Sequence, residues 1–205
     1  MVRWRFGLAT PSRGWISPQD PWFDPSMPTY NYDPEKAKQL LKQAGYPDGF
    51  ELNVDIATQP LRVETAEAMQ AQLAKVGVKM KLKPSEIGAL ITIWSAGNYE
   101  ASLAWSGGTE DIDKFLANYR RSDPRSKALG CATPEMQDLI DKGAATMDQN
   151  ERKKIYQQLD RAIYDIASDV FLLHAANNVA LTKKVHDYKI ALPVMFYFND
   201  VWMDK

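Results

Sequence analysis

The stretch AWSGGTEDIDKF, Ala104 to Phe115, gathers an indole, two hydroxyls, two adjacent glycines and three acids in one short run. Gly107 and Gly108 free the backbone to bend tightly or to approach a ligand closely. Trp105 offers a flat apolar face with a donor on its edge. Glu110, Asp111 and Asp113 have three uses open to them: capping a helix, binding a cation, or receiving an amine. The candidate ligand-binding residues are therefore Trp105, Ser106, Gly107, Gly108, Thr109, Glu110 and Asp111. Each has a plainer alternative, helix capping for Asp111 and Asp113 and ordinary packing for Trp105. Ser106 also invites a hydrolase reading, with acids and His174 downstream of it. A nucleophile elbow needs glycine two residues before and two after the serine. Ala104 fills the first place and only Gly108 fits, so no catalytic residue is assigned and an enzyme is not expected.

Other reactive side chains are sparse. His174 and His186 are the only histidines, and neither has a second ligand at metal-site spacing, so both read as structural or surface residues. Cys131 is alone, which excludes an internal disulfide. Neither a metal nor a cofactor is expected. The 205 residues carry a formal charge of −1 and no basic run, which argues against nucleic acid as a partner. Hydrophobic residues at 45% and charged residues at 25% are enough to fill a core. No apolar stretch approaches the ~18 residues that a membrane span needs. The first residues, with Arg3 and Arg5 but no apolar run behind them, do not form a secretory signal.

The elements that must position the glycine-acid stretch follow from periodicity and punctuation. Five prolines from Pro11 to Pro28 predict a long irregular opening with no element to anchor it. Asp33, Pro34 and Glu35 start a helix whose Ala37, Leu40, Leu41 and Ala44 share a face, and Gly45 stops it. Leu52, Val54 and Ile56 alternate as a strand. A helix over about 61–76 and a second strand through Val78, Met80 and Leu82 complete a crossover unit, so these strands should be parallel neighbours. Pro84 ends the second strand, a helix follows from Ser85 and Glu86 to about Ser95, and YEASLAW is the third strand. The glycine-acid stretch then lies at the carboxyl end of a strand in an α/β sheet, where ligands gather in open sheets. Asp111 or Asp113 caps a short helix through Leu116 and Tyr119. Thr133 and Pro134 start another with Met136, Leu139 and Ile140 inward. Asn150 caps a long helix striped by Ile155, Leu159, Ala162, Ile163 and Ile166. Residues 169–185 read as two strands around an Asn177-Asn178 turn. The tail is apolar through Val194, Met195, Phe196, Tyr197 and Phe198, then Val201, Trp202 and Met203, more than this chain has obvious means to cover.

Four stretches, YDPEKAKQLLKQAGYPDGFEL, AEAMQAQLAKVGVKMKL, AWSGGTEDIDKFL and NERKKIYQQLDRAIYDIASDVFLLHA, together resemble the C-terminal portion of the family 5 extracellular solute-binding proteins, the peptide-, nickel- and opine-type receptors of ABC importers. The resemblance runs from about Gly7 to Trp202. It implies an α/β fold, one lobe of a type II periplasmic binding protein with a mixed sheet and flanking helices, the N-terminal lobe being absent. The implied divisions are an irregular segment over 1–30 from the lobe junction, a ligand-binding lobe over 31–185, and a tail over 186–205 that returns to the missing lobe. The implied function is binding of a peptide-like or other small polar solute in an interlobe cleft, with an ABC permease as partner and a periplasmic or extracellular location. Peptide-binding members place a Trp at the position of Trp105 and an Asp three residues on for the peptide's amine, but this chain has Gly108 there. A buried ammonium without a carboxylate costs several kcal/mol. So either Glu110 or Asp111 replaces the lost acid, or the solute lacks a free amine, the reading preferred here. A stand-alone interaction module, recruiting a partner or self-associating through the 193–203 tail, is the competing class.

Overall fold

The computed structural model describes residues 9–103, 112–116, 119–120, 122–124, 126, 133–175, 179–189 and 198–204. Along them the chain runs β1 (Ala9–Pro11), α1 (Pro34–Gln43), β2 (Glu51–Ala57), α2 (Pro60–Ala74), β3 (Lys79–Ser85), α3 (Ile87–Ala96), β4 (Ala101–Leu103), α4 (Ile112–Leu116), α5 (Pro134–Ala145), α6 (Gln149–Ile166), β5 (Leu173–Ala175), β6 (Val185–His186) and β7 (Trp202–Met203). These elements fall into two compact units. A sheet unit comprises Thr29–Trp105 and Arg121–Ala132, and a helical unit comprises Met1–Pro28, Ser106–Arg120 and Thr133–Lys205.

In the sheet unit, Asp33 caps α1 by accepting from the Lys36 amide at 2.9 Å, and Pro34 occupies the first turn, as the sequence predicts. The predicted inward face of α1 is not buried, however. No residue of α1 is buried, and Leu40 is 51% exposed. Strand order is β3-β2-β4 with both pairings parallel, so the crossover expectation holds. Val54 and Ile56 of β2, Met80 of β3 and Ala66 of α2 form the buried core, with Leu52, Leu82, Ala101 and Leu103 packed against it. The alternation read from the sequence is the physical origin of this one-sided core. Pro84 does not end β3. The ladder continues through Ile56↔Pro84 to Ala57↔Ser85. Because β3 lies at the edge, a residue without an amide hydrogen is tolerated there. Gly49 shows why the turn before β2 is so specific. Its φ is 78°, and a Cβ built on it would meet the Gly77 carbonyl oxygen at 2.0 Å. The turns entering β2 and β3 thus lie backbone against backbone.

In the helical unit, Thr133 caps α5 through the Met136 amide at 3.2 Å. The expected cap on Asn150 is corrected. Asp148 is the cap, accepting from the amides of Asn150 (3.0 Å) and Glu151 (2.9 Å), and the helix already contains Gln149 and Asn150. Met136 and Ile140 of α5 and Leu159 and Ile163 of α6 are buried, and the two helices pack together. The buried face of α6 is wider than the predicted stripe, taking in Tyr156, Asp160 and Tyr164 while Ile166 is 38% exposed.

The opening segment does have an anchor. Its β1 pairs antiparallel with β5 (Thr10↔His174), and the Trp15 amide donates to the Asp160 carboxylate at 2.8 Å. Gln157 donates to the Trp22 and Phe23 carbonyls at 3.1 Å, and Arg161 to the Ser26 carbonyl at 3.2 Å. The predicted hairpin is corrected as well. β5 pairs with β1, and β6 pairs with β7, rather than with each other. Asn177 and Asn178 themselves lie outside the described residues.

Candidate functional site

Trp105, Ser106, Gly107, Gly108, Thr109, Glu110 and Asp111 all lie outside the described residues, as do Cys131 and residues 190–197 of the tail. The two elements that flank the first group are described. On the amino side, β4 lies at the sheet's edge with Leu103 opposite Ile56, so the chain leaves β4 at the carboxyl end of a parallel strand. Two hydroxyls of this sheet, Ser85 Oγ and Ser102 Oγ, are buried without a hydrogen-bond partner. On the carboxyl side stands α4, one short turn of helix beginning at Ile112.

Asp113, one of the two acids offered as the cap of this helix, sits in the first turn of α4, inside the helix, and the other, Asp111, lies outside the described residues. The Asp113 carboxylate accepts from Tyr156 Oη at 3.0 Å and from Arg120 Nη2 at 3.3 and 3.4 Å. Arg120 also donates to Asp141 of α5 at 3.3 Å, and Gln137 donates to the same oxygen at 2.9 Å. Tyr156 is fully buried. Burial, reinforced by Asp113 and opposed by Arg152, pushes its phenol up to about 12, so it remains a neutral donor. This cluster escaped the sequence reading because its members come from three helices and from Arg120, which lies between α4 and α5, and only Asp113 belongs to the glycine-acid stretch.

The histidines fit structural roles. His174 Nε2 lies 2.9 Å from Ser12 Oγ, and burial holds the imidazole below its ordinary value. Ser12 Oγ donates to the Gly14 carbonyl at 2.6 Å, so its proton is directed away from the imidazole. That arrangement closes the β1–β5 ladder and is the wrong polarity for a serine activated by histidine. His186 stacks on Trp202 with ring centres 4.0 Å apart and pairs with Asp204 at 3.0 Å. Among the described residues no group of three or more His, Cys, Asp or Glu side chains is placed to hold a metal. No described helix is long and apolar enough to cross a membrane. A shallow depression of about 360 Å³ on the second face of the sheet is lined by Asn53, Asp55, Lys83, Ile93, Asn98, Tyr99 and Glu100. Glu100 is already held there by the Asn53 amide and side chain at 2.8–3.0 Å.

Comparison with known proteins places this architecture. Residues 4–127 match the bacterial extracellular solute-binding proteins, family 5 middle region. The chain is 30% identical to the dipeptide-binding protein of Escherichia coli over 95% of its own length and 38% of that protein's. It is 30% identical to heme-binding protein A of Haemophilus influenzae, covering 89% of this chain and 35% of that one. The periplasmic binding protein DppA of Helicobacter pylori, solved in complex with the peptide STSA, superposes with a TM-score of 0.77 at 28% identity, over 98% of this chain and 40% of that chain. The chain therefore spans about two fifths of the length of the relatives it matches. Its α/β architecture is that of a type II periplasmic binding protein. The chain belongs to the bacterial extracellular solute-binding proteins of family 5.

Proposed function

We propose that this chain supplies one wall of a solute-binding cleft in an ABC-importer receptor, with Trp105 to Asp111 contacting the solute. The support for the reading lies in the described flanks of that segment in sequence: β4 is a parallel strand that ends at Leu103, and α4 begins at Ile112 with Asp113 bonded to Tyr156. Relatives named for dipeptides and for heme support a small-solute ligand without fixing its class. Binding by closure of two lobes over the solute, with the closed form recognised by a membrane permease, is the mode this family membership supports. A periplasmic or extracellular location goes with it. Within the segment, Gly108 leaves an amine without the acid that peptide receptors provide, so the solute is a small polar molecule whose recognition does not depend on a free amine.

One wall of a cleft encloses only part of a ligand, whereas good sites bury about 70–90% of it. The chain alone should therefore bind weakly, and NMR titration is the suitable test. Dialanine at millimolar concentration should move the Trp105 indole resonance, assigned by Trp105→Phe, only slightly. Gly108→Asp should strengthen that binding about tenfold to a hundredfold through a new charge-assisted bond. A null result for dialanine in both proteins would remove peptides from the solute class, whereas no gain on adding the carboxylate would mean that Glu110 or Asp111 already receives the amine or that the solute is not a peptide. Micromolar binding by the unaltered chain would overturn the half-site reading itself.

A further inference from the structure

The second face of the sheet carries two opposite charges that the fold leaves unpaired. Lys83, Asp55 and Ser102 stand opposite one another on β3, β2 and β4, so their side chains form one row on the face away from Val54 and Ile56. Toward the amino ends of these strands the polar groups are satisfied. Glu100 accepts from the amide and side chain of Asn53 at 2.8–3.0 Å, and Lys81 pairs with Glu51 at 2.6 Å. The Asn53 bonds, with Lys83 as a weaker and more distant charge, hold the Glu100 carboxyl below its ordinary value. Asp55 and Lys83 differ. Opposite charges facing each other across strands ordinarily meet, yet among the described residues neither side chain makes a hydrogen bond or ion pair. Both line the depression of about 360 Å³, where Ile93 of α3 forms an apolar wall. Ser102, beside Asp55 in the same row, keeps a buried hydroxyl without a partner.

The geometry points to this depression as a binding site for a free α-amino acid, its ammonium held by Asp55 and its carboxylate by Lys83. Adjacent strands lie about 4.8 Å apart. Charges on neighbouring strands therefore match two groups that a single carbon separates, whereas the ends of even a dipeptide stand a residue further apart. A charge-assisted bond at each end supplies both affinity and orientation. The Ser102 hydroxyl is a further acceptor for an ammonium seated on Asp55, and Ile93 faces an apolar side chain such as that of leucine. The depression is shallow and encloses less of a ligand than a deep pocket does, so binding should lie in the millimolar range. All of its residues belong to the sheet unit, and none belongs to the segment from Trp105 to Asp111.

The test is an NMR titration of the 205-residue chain with L-leucine, read at the Ile93 methyl resonance, assigned by Ile93→Val. Leucine at millimolar concentration should shift that resonance saturably. N-acetylleucine, which lacks the ammonium, and leucinamide, which lacks the carboxylate, should each bind about tenfold to a hundredfold more weakly, the scale of one charge-assisted bond. Asp55→Asn should abolish the preference for leucine over N-acetylleucine, and Lys83→Met the preference over leucinamide. If either variant does not fold, the three ligands on the unaltered chain carry the measurement. No saturable shift with leucine would overturn the site. Leucinamide binding as well as leucine would overturn it too, leaving an acidic patch that holds any amine, and so would N-acetylleucine binding as well as leucine. The Trp105 indole resonance separates this site from the proposed cleft. A leucine response at Trp105 without one at Ile93 would remove the second site and leave the cleft reading standing, whereas the reverse is the expected result.

Discussion

Asp160 shows how much a single residue can hold together and how little of it is visible in sequence. It is 2% exposed on α6, and its carboxylate takes the Trp15 and Ile16 amides of a segment some 145 residues away. A Cβ on Gly14 would lie 2.6 Å from one of its oxygens, so the backbone there is pressed against the acid. Periodicity placed Leu159 and Ile163 inward correctly but gave no reason to bury the charged residue between them, since isolated acids almost always face water. Asp113 was offered beside Asp111 as a cap for the same reason, because its partners Tyr156 and Arg120 are distant or unremarkable in sequence. Burial raises Asp160 from 3.8 to about 6, the two amides pulling the other way. Between those values the folded protein holds a proton that the unfolded chain has released. This contribution to stability is thus fully present below pH ~4 and is lost as pH rises through ~6, an effect of up to about 3 kcal/mol. Urea unfolding at several pH values should show that loss in the parent and not in Asp160→Asn. A difference between the two proteins that does not vary with pH would refute the assignment.

At the scale of elements, local chemistry was legible wherever it decides the outcome. Asp33 with Pro34 and Thr133 with Pro134 open helices because a side-chain acceptor and a preset φ act within one turn. The parallel pairing of β2 with β3 was legible because a helix joins them in sequence, whereas the place of β4 on the far side of β2 carries no local signal. The start of α6 was misplaced by two residues, since Asp148 and Asn150 are both good caps and only geometry separates them. That separation is testable. Asp148→Ala should cost about 1 kcal/mol, whereas Asn150→Ala, now inside the first turn, should cost close to nothing. Equal losses in thermal unfolding would mean that the helix begins elsewhere. The partner of β5 was not legible at all. A three-residue strand pairing with Ala9–Pro11 leaves no local signal, and the adjacent asparagines suggested a nearer partner. The face of α1 is the opposite case. Its pattern is strongly amphipathic, yet the half-exposed Leu40 shows that pattern reports a preference for burial, not the presence of a cover.

At the scale of the whole molecule, sequence reading draws boundaries along the chain, at 30 and 185, while spatial contacts collect the helical unit from three separate stretches. Pairings such as β1 with β5 and Trp15 with Asp160 have no marker between them in sequence. The apolar tail poses the remaining question. Its described part is tied down at β7, where Trp202 stacks on His186 and donates to Asp187 at 2.8 Å. Even so, Phe198 and Met203 are each 62% exposed and Trp202 51%. Large apolar side chains left in water forgo roughly 1.5–3 kcal/mol of burial each, and a short two-stranded ladder has edges that a further strand can extend. For the 205-residue chain taken by itself, without the lobe to which the resemblance sends this tail, we expect the surface to be covered by a second copy across a two-fold contact, the simplest closed arrangement. Sedimentation at micromolar concentration should then show a dimer or larger, and removal of residues from Pro193 onward should return a folded monomer. If the intact chain sediments as a monomer and the truncated one unfolds, the tail stabilises its own unit rather than an interface. The ties from Trp202 to His186 and Asp187 would then be its main function.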